Sequence, residues 1–132
     1  MIRIDYGETQ DGPTVWLLID GATEFERFRE LLRQLGNGQL KVVDCLEQGE
    51  IFSLMSGVSR CMFASVAPKE SGHVNLTDDE QGDSITWKLS RDSWLKVLTM
   101  IAAMTGPSHQ YFDYPEATVI VSLMEGLKRI AN

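Results

Sequence analysis

Basic residues are few in this chain of 132 residues: 12 lysines and arginines stand against 19 aspartates and glutamates, giving a formal net charge of −7. Nonspecific binding of nucleic acid depends on clustered basic side chains that neutralise phosphates, so this composition argues against it. A cationic partner would instead be attracted by the excess of carboxylates. The charge balance therefore favours a positively charged partner.

Cysteine and histidine are scarce as well, with two residues of each type. Cys45 and Cys61 match the spacing of neither a zinc site nor a redox motif, so we expect buried, reduced thiols. His73 and His109 are too few for a three-histidine metal site, and neither lies in an HxxxH or HxE pattern. Phosphate-binding glycine loops and nucleophile motifs are also missing, so we expect no metal and no cofactor.

Long apolar runs are missing too. The longest nearly apolar stretch, residues 94–104, contains Lys96 and Thr99 and is too short to cross a bilayer. The first six residues lack the cationic and apolar regions of a signal peptide, so we expect a cytoplasmic protein. The length, without a linker or low-complexity segment, predicts a single α+β domain over residues 1–132.

Alternating apolar residues and short glycine-containing turns predict several strands. They cover residues 2–6, 15–19, 40–46, 51–55, 58–66, 74–76, 85–89, 109–113 and 118–121. Hairpin-type turns outnumber strand–helix–strand crossovers, which predicts a mostly antiparallel sheet with two helices packed on one face. The strands around Trp16 and Trp87 are expected inside the sheet rather than at its edges.

The first helix is predicted after Thr23, which forms a capping-box pattern with Glu26, and Gly36 is expected to supply its left-handed exit. Its apolar stripe spans roughly 120°, the width of a helix that lies on one sheet face. A strand, a helix, a glycine exit and another strand recur around residues 15–46 and 85–113. This pattern indicates a recurring supersecondary unit.

The second helix is predicted to begin at Ser90 or Asp92 and to end at Gly106-Pro107. Its apolar arc spans roughly 220°, more than one sheet face can cover. Leu95 and Met100 lie at the margins of this arc. We therefore expect either the first helix or a second copy of the chain to cover them, and we favour a homodimer through the second helix.

An acidic segment follows the middle strands and contains Asp78, Asp79, Glu80 and Asp83. Its best alignment with a calcium-binding loop puts no carboxylate at the first, fifth or twelfth position, so it does not match that motif. Two interpretations stay open: a solvated hairpin loop, or a docking patch for a basic partner.

The segment His109–Tyr114 places His109, Tyr111 and Asp113 on one face of a predicted strand. A histidine and an aspartate on one face are a base and its orienting group in some enzymes and two metal ligands in others. On an extended strand, however, they are about 13 Å apart and do not touch each other. The alternative is a structural histidine that bonds to a nearby backbone or side-chain group.

A resemblance rests on three stretches, residues 89–94, 106–113 and 119–122. They are similar to the C-terminal half of certain small uncharacterised bacterial proteins that carry a His-Gln-Tyr-Leu-Asp strand, some of which resemble immunity proteins of toxin systems. Phe112 replaces the leucine of that pattern, and the resemblance covers only residues 85–125. It implies a bacterial binding protein and identifies no catalytic residue.

These observations favour a small acidic protein-binding domain, not an enzyme, and specifically an immunity protein that neutralises a cationic toxin domain. Shape and charge complementarity suffice for that role and leave no short motif. The expected partner-binding residues are Asp78, Asp79, Glu80, Asp83, His109, Tyr111 and Asp113. Two alternatives remain: a small-ligand-binding protein or enzyme that uses His109 and Tyr111, and a structural homo-oligomer.

Overall fold

The computed structural model describes residues 1–124, which form nine strands and two α-helices. The first half comprises β1 (Ile2–Thr9), β2 (Gly12–Ile19), α1 (Ala22–Asn37), β3 (Val42–Asp44), β4 (Phe52–Leu54) and β5 (Val58–Ser65). After a 3-10 turn at Pro68–Glu70, the second half comprises β6 (His73–Asp79), β7 (Gly82–Leu89), α2 (Arg91–Ala102), β8 (Ser108–Asp113) and β9 (Thr118–Leu123). The predicted α+β class is confirmed.

Within the described residues the strands form two sheets. Sheet A has the order β4-β1-β2-β9-β8 and sheet B the order β3-β5-β7-β6. Three of the neighbouring pairs are parallel, namely β1–β4, β2–β9 and β5–β7, so the pairing is mixed, although a mostly antiparallel single sheet was predicted. The prediction counted turns between consecutive strands, whereas these parallel pairs join strands that are distant in sequence.

The interior position predicted for the two tryptophan strands is confirmed. Trp16 lies on β2, between β1 and β9, and Trp87 lies on β7, between β5 and β6. Both strands belong to hairpins of one design, in which a two-residue turn is followed by a glycine with positive φ, Gly12 or Gly82. Each hairpin leads directly into a helix, so the predicted strand–helix–strand unit does occur twice.

Helix α1 differs from the prediction at both ends. Its N-cap is Gly21, whose carbonyl accepts the first helical bond from Phe25, so Thr23 lies inside the helix and the capping-box prediction is wrong. The helix starts early because β2 ends just before it. The N-cap position suits glycine, because the Glu24 side chain occupies the space that a Cβ atom at Gly21 would need. The left-handed exit is Gly38 with φ 85°, not Gly36.

Gly36 instead lies inside α1, at a point of close contact between the two helices. A Cβ atom at this position would lie 2.6 Å from Cγ of Leu95 on α2, so only glycine allows this close approach. Helix α2 begins as predicted at Ser90, whose hydroxyl accepts a hydrogen bond from the backbone N–H of Ser93. Its last helical residue is Ala102, four residues before the predicted stop.

The core is a single cluster between the helices and the buried faces of both sheets. Phe63 on β5 lies at its centre, with ring centroids 5.7–6.1 Å from those of four other aromatic residues. These are Phe28 of α1, Phe52 of β4, Trp87 of β7 and Trp94 of α2. The opposite face of sheet A, which carries Trp16, points away from this core.

Candidate partner-binding surface

The acidic segment is the end of the β6–β7 hairpin rather than a long loop. Asp79 accepts hydrogen bonds from the backbone N–H groups of Gln81 and Gly82, so its carboxylate stabilises the turn. Asp78 and Asp83 are direct cross-strand partners. Like charges placed opposite each other destabilise a hairpin, so this pair works against the stability of the turn.

The β1–β2 hairpin adds a further carboxylate to this pair. Glu8 and Tyr6 of β1 line a cavity of about 370 Å³ together with Asp78 and Asp83. Burial, followed by the charges of Glu8, Asp83 and Asp78, raises the pKa of Tyr6 above its ordinary value. Among the residues that the structure describes, none of these three carboxylates forms an ion pair. We call Tyr6, Glu8, Asp78 and Asp83 the acidic end.

The three residues predicted to share one face of β8 do share it, and all three are exposed. Asp113 accepts a hydrogen bond from the Thr118 hydroxyl at 2.7 Å, close to the β1–β2 turn. Tyr111 and Asp113 line a cleft with the turn residue Asp11. The β1–β2 turn thus lies beside Asp113 on the outer face of sheet A, whereas Tyr6 and Glu8 of the acidic end lie on the opposite face, the face that carries the buried Val15.

His109 does not belong to this group. It lies at the other end of β8, where its Nδ1 is 2.7 Å from the hydroxyl oxygen of Ser122. The shallow cavity beside it is lined by Met100 and Met104 and, within the described residues, by no carboxylate. A catalytic histidine needs a polar partner that a substrate in the cavity can also reach. Ser122 is buried, so its hydroxyl does not meet this requirement. The sequence did not predict that His109 and Met100 line the same cavity, because they lie on different elements.

The other histidine, by contrast, has a charged partner that the sequence did not indicate. His73 Nδ1 lies 2.7 Å from Oε2 of Glu116, whose other oxygen accepts a hydrogen bond from the backbone N–H of Val74. Glu116 lies in the β8–β9 turn, so the pair ties an edge strand of sheet B to sheet A. The hydrogen bond from Val74, and then the contact with His73, lowers the pKa of the Glu116 carboxyl.

Replacing Glu116 with glutamine should destabilise the protein more at pH 7 than at pH 3. A lowered folded-state pKa contributes stability above the ordinary value of 4.5 and loses it as the pH falls through the folded value. Because the pair is partly exposed, we expect a loss below about 1 kcal/mol at pH 7. Urea unfolding of both proteins at the two pH values measures it, and an equal loss at both would contradict the prediction.

Within residues 1–124, part of the apolar arc of the second helix is uncovered. Leu95 is 39% exposed although it contacts Gly36, and Met100 is 41% exposed. The first helix does meet the second, although its 120° apolar stripe predicted contact with the sheet alone and so favoured a dimer, but it covers Leu95 only in part. Self-association through Leu95 and Met100 stays a prediction.

If α2 forms the dimer interface, replacing Met100 with glutamate should weaken self-association at least about tenfold, because a charge would be buried without a partner. The free energy of unfolding of the monomer should change little, since Met100 is exposed. Sedimentation velocity at several concentrations measures the effect. Leu46→Glu is the matched control, because Leu46 is 62% exposed and does not line the cavity that contains Met100. An unmodified chain that sediments as a monomer throughout would refute the dimer.

The two cysteines are distant in sequence but lie side by side. The backbone N–H of Cys45 donates to the carbonyl of Cys61 at 3.0 Å, and both residues are buried, free thiols. Burial, and then the neighbouring Cys61, raises the pKa of the Cys45 thiol, which makes it a poor nucleophile. Residues 1–124 contain no cluster of three or more His, Cys, Asp and Glu side chains suited to a metal ion.

No helix of the described residues combines the length and the apolar character that crossing a membrane requires. A scan with protein-family models, a search of curated proteins and a search of solved structures found no match to this chain. The resemblance to toxin-system immunity proteins therefore stays a prediction.

Proposed function

We propose that this chain is a small cytoplasmic binding protein that masks a cationic surface of another protein, as a bacterial immunity protein masks its toxin. The observation that carries the proposal is the acidic end. There Asp78 and Asp83 face each other across a hairpin and Glu8 lies beside them in the same cavity. This arrangement costs stability, and a cationic partner would convert the repulsion into attraction.

The remaining acidic residues of the hairpin ends extend this surface. Asp79 is held by the turn it stabilises, and Glu80 is exposed at its tip. The hydrogen bonds of Asp79 order the β6–β7 turn, so this surface should lose little conformational freedom when a partner binds. The charges should also steer association and make its rate depend on salt.

The test uses the product of the gene immediately upstream, since an immunity gene usually follows the gene of its toxin. We expect this product to be basic and to bind the chain, with affinity measured by biolayer interferometry. The double variant Asp78→Asn, Asp83→Asn should bind at least about tenfold more weakly, a change of about 1.4 kcal/mol in binding free energy.

The matched control is the double variant Glu47→Gln, Glu70→Gln. It also removes two negative charges, but from exposed positions outside the acidic end. It should bind within about twofold of the unmodified chain, because distant charges are screened at physiological salt. An equal loss in both variants would mean that only net charge matters and would remove the acidic end as the site. An upstream product that does not bind at micromolar concentration would overturn the immunity role.

A ligand-binding or catalytic role for His109 and Tyr111 has less support. Their ring centroids are 6.4 Å apart, but the hydrogen-bond partner of His109 is the buried Ser122 hydroxyl. Within the described residues no carboxylate lines the cavity beside His109. Protein binding through the hairpin ends is therefore the role that we propose.

A further inference from the structure

A cleft of about 460 Å³ lies on the outer face of sheet A, between the β1–β2 turn and the edge strand β8. We call it the aromatic cleft and define it by Trp16, Ile120, Tyr111, Asp11 and Asp113. The strand register places Trp16, Ile120 and Tyr111 side by side on β2, β9 and β8. They form one row across the sheet face that points away from the core.

The aromatic rings of this row remain accessible. Tyr111 is 57% exposed, and Trp16 and Ile120 are partly exposed. The indole of Trp16 leans toward β1, where its Cζ3 would be 3.5 Å from a Cβ atom at Gly7, so the ring is displaced from Tyr111, which lies on the other side of β2. Exposed aromatic residues in a contiguous patch mark binding surfaces, and Trp and Tyr are enriched among the residues that dominate binding energy.

Carboxylates close the cleft on the side of the β1–β2 turn. Asp11 belongs to the turn, and Asp113 is oriented by the hydrogen bond from Thr118. The part of the lining that residues 1–124 supply contains no lysine or arginine. The cleft therefore combines π faces with negative charge, which is complementary to a delocalised cation.

We propose that the aromatic cleft binds an arginine side chain of the cationic partner. The guanidinium would stack on the exposed ring of Tyr111 and donate hydrogen bonds to Asp113, with Trp16 lining the opposite wall of the cleft. Arginine fits better than lysine because its planar group stacks on rings, is weakly hydrated and bonds to a carboxylate in a bidentate manner. This inference rests on the proposed function, and it adds the chemistry by which the partner is anchored.

The probe is a short peptide amide, Gly-Gly-Arg-Gly-Gly, with versions that carry lysine or the uncharged isostere citrulline. Its binding is followed by NMR of the Trp16 indole N–H and the Tyr111 ring. We expect saturable shifts at both residues with the arginine peptide, weaker binding of the lysine peptide and no saturable binding of the citrulline peptide. Equal affinity for all three, or shifts that map to Tyr6 at the acidic end, would overturn the proposal.

Two single variants test the cleft itself. Tyr111→Ala and Asp113→Asn should each weaken arginine-peptide binding about threefold to tenfold, the range of one cation–π contact or charged hydrogen bond. Leu46→Ala is the matched control, because Leu46 is an exposed apolar residue outside the cleft. Unchanged affinity in both cleft variants would overturn the assignment.

The two proposals fail in distinguishable ways. The cleft is wrong, and the acidic binding role survives, if the upstream product binds through Asp78 and Asp83 while Tyr111→Ala leaves that affinity unchanged. The immunity role is wrong, and the cleft survives, if the arginine peptide binds at Trp16 and Tyr111 while the upstream product does not bind.

Discussion

Replacing Phe63 with alanine should lower the free energy of unfolding by about 3–5 kcal/mol, the range for a buried aromatic residue that leaves a cavity. Phe63 is 1% exposed, and its ring contacts aromatic residues from both helices and both sheets. The cavity would open where these four elements meet, so no single element can move to fill it. Urea unfolding followed by circular dichroism measures the loss.

Tyr111→Ala is the matched control for Phe63→Ala. It removes an aromatic side chain of similar size from an exposed position, so its cost should stay below about 1 kcal/mol. A loss under about 2 kcal/mol for Phe63→Ala would mean that the central aromatic cluster contributes less than its burial indicates. A large loss for Tyr111→Ala would give Tyr111 a structural role and weaken its assignment to the aromatic cleft.

Replacing Gly82 with alanine should destabilise the protein by about 2–4 kcal/mol. Gly82 has a φ of 135°, which side-chain-bearing residues rarely adopt and which costs about 1–3 kcal/mol. A Cβ atom there would also lie 2.6 Å from the carbonyl oxygen of Gly57, which accepts a 2.7 Å hydrogen bond from Asp83. The added Cβ would clash with a backbone atom rather than a flexible side chain, so relief requires moving the backbone just before β5 away from β7.

Gly12→Ala separates these two contributions, because Gly12 holds the equivalent position in the first hairpin. Its φ is 105°, but nothing lies within 4 Å of an added Cβ atom. It should therefore show the conformational cost alone, about 1–2 kcal/mol, and lose less stability than Gly82→Ala. Thermal and urea unfolding of both variants give the comparison, and equal losses would show that the contact with Gly57 is relieved without cost.

Local patterns determined most of the secondary structure. Strand alternation located the two tryptophan strands, and the apolar stripe located α1 because helix periodicity is encoded within a few turns. The start of α2 at Ser90 could be predicted because serine is a preferred N-cap residue, whose hydroxyl accepts a hydrogen bond from the first turn of its own helix. The shared exposed face of Tyr111 and Asp113 followed from the two-residue period of a strand.

The ends of α1 show where local patterns failed. The capping box at Thr23 and Glu26 was a valid local signal, but the end of β2 brings the chain into the helix earlier, at Gly21. Gly36 looked like an exit and is instead the contact surface for Leu95. In both cases a neighbouring element decided the role of the residue, and no pattern within one helix contains that information.

The sequence by itself also determined the acidic balance, and with it the kind of partner that we propose. Only the tertiary structure decided where those charges meet. The parallel pairs β2–β9 and β5–β7 join the two halves of the chain, and Glu8 reaches Asp78 and Asp83 through contacts about 70 residues apart in sequence. The pairing of such distant strands depends on burial of the shared core, so it cannot be predicted from the sequence of any one short segment. The same long-range pairing aligned Trp16 with Tyr111 and so created the aromatic cleft.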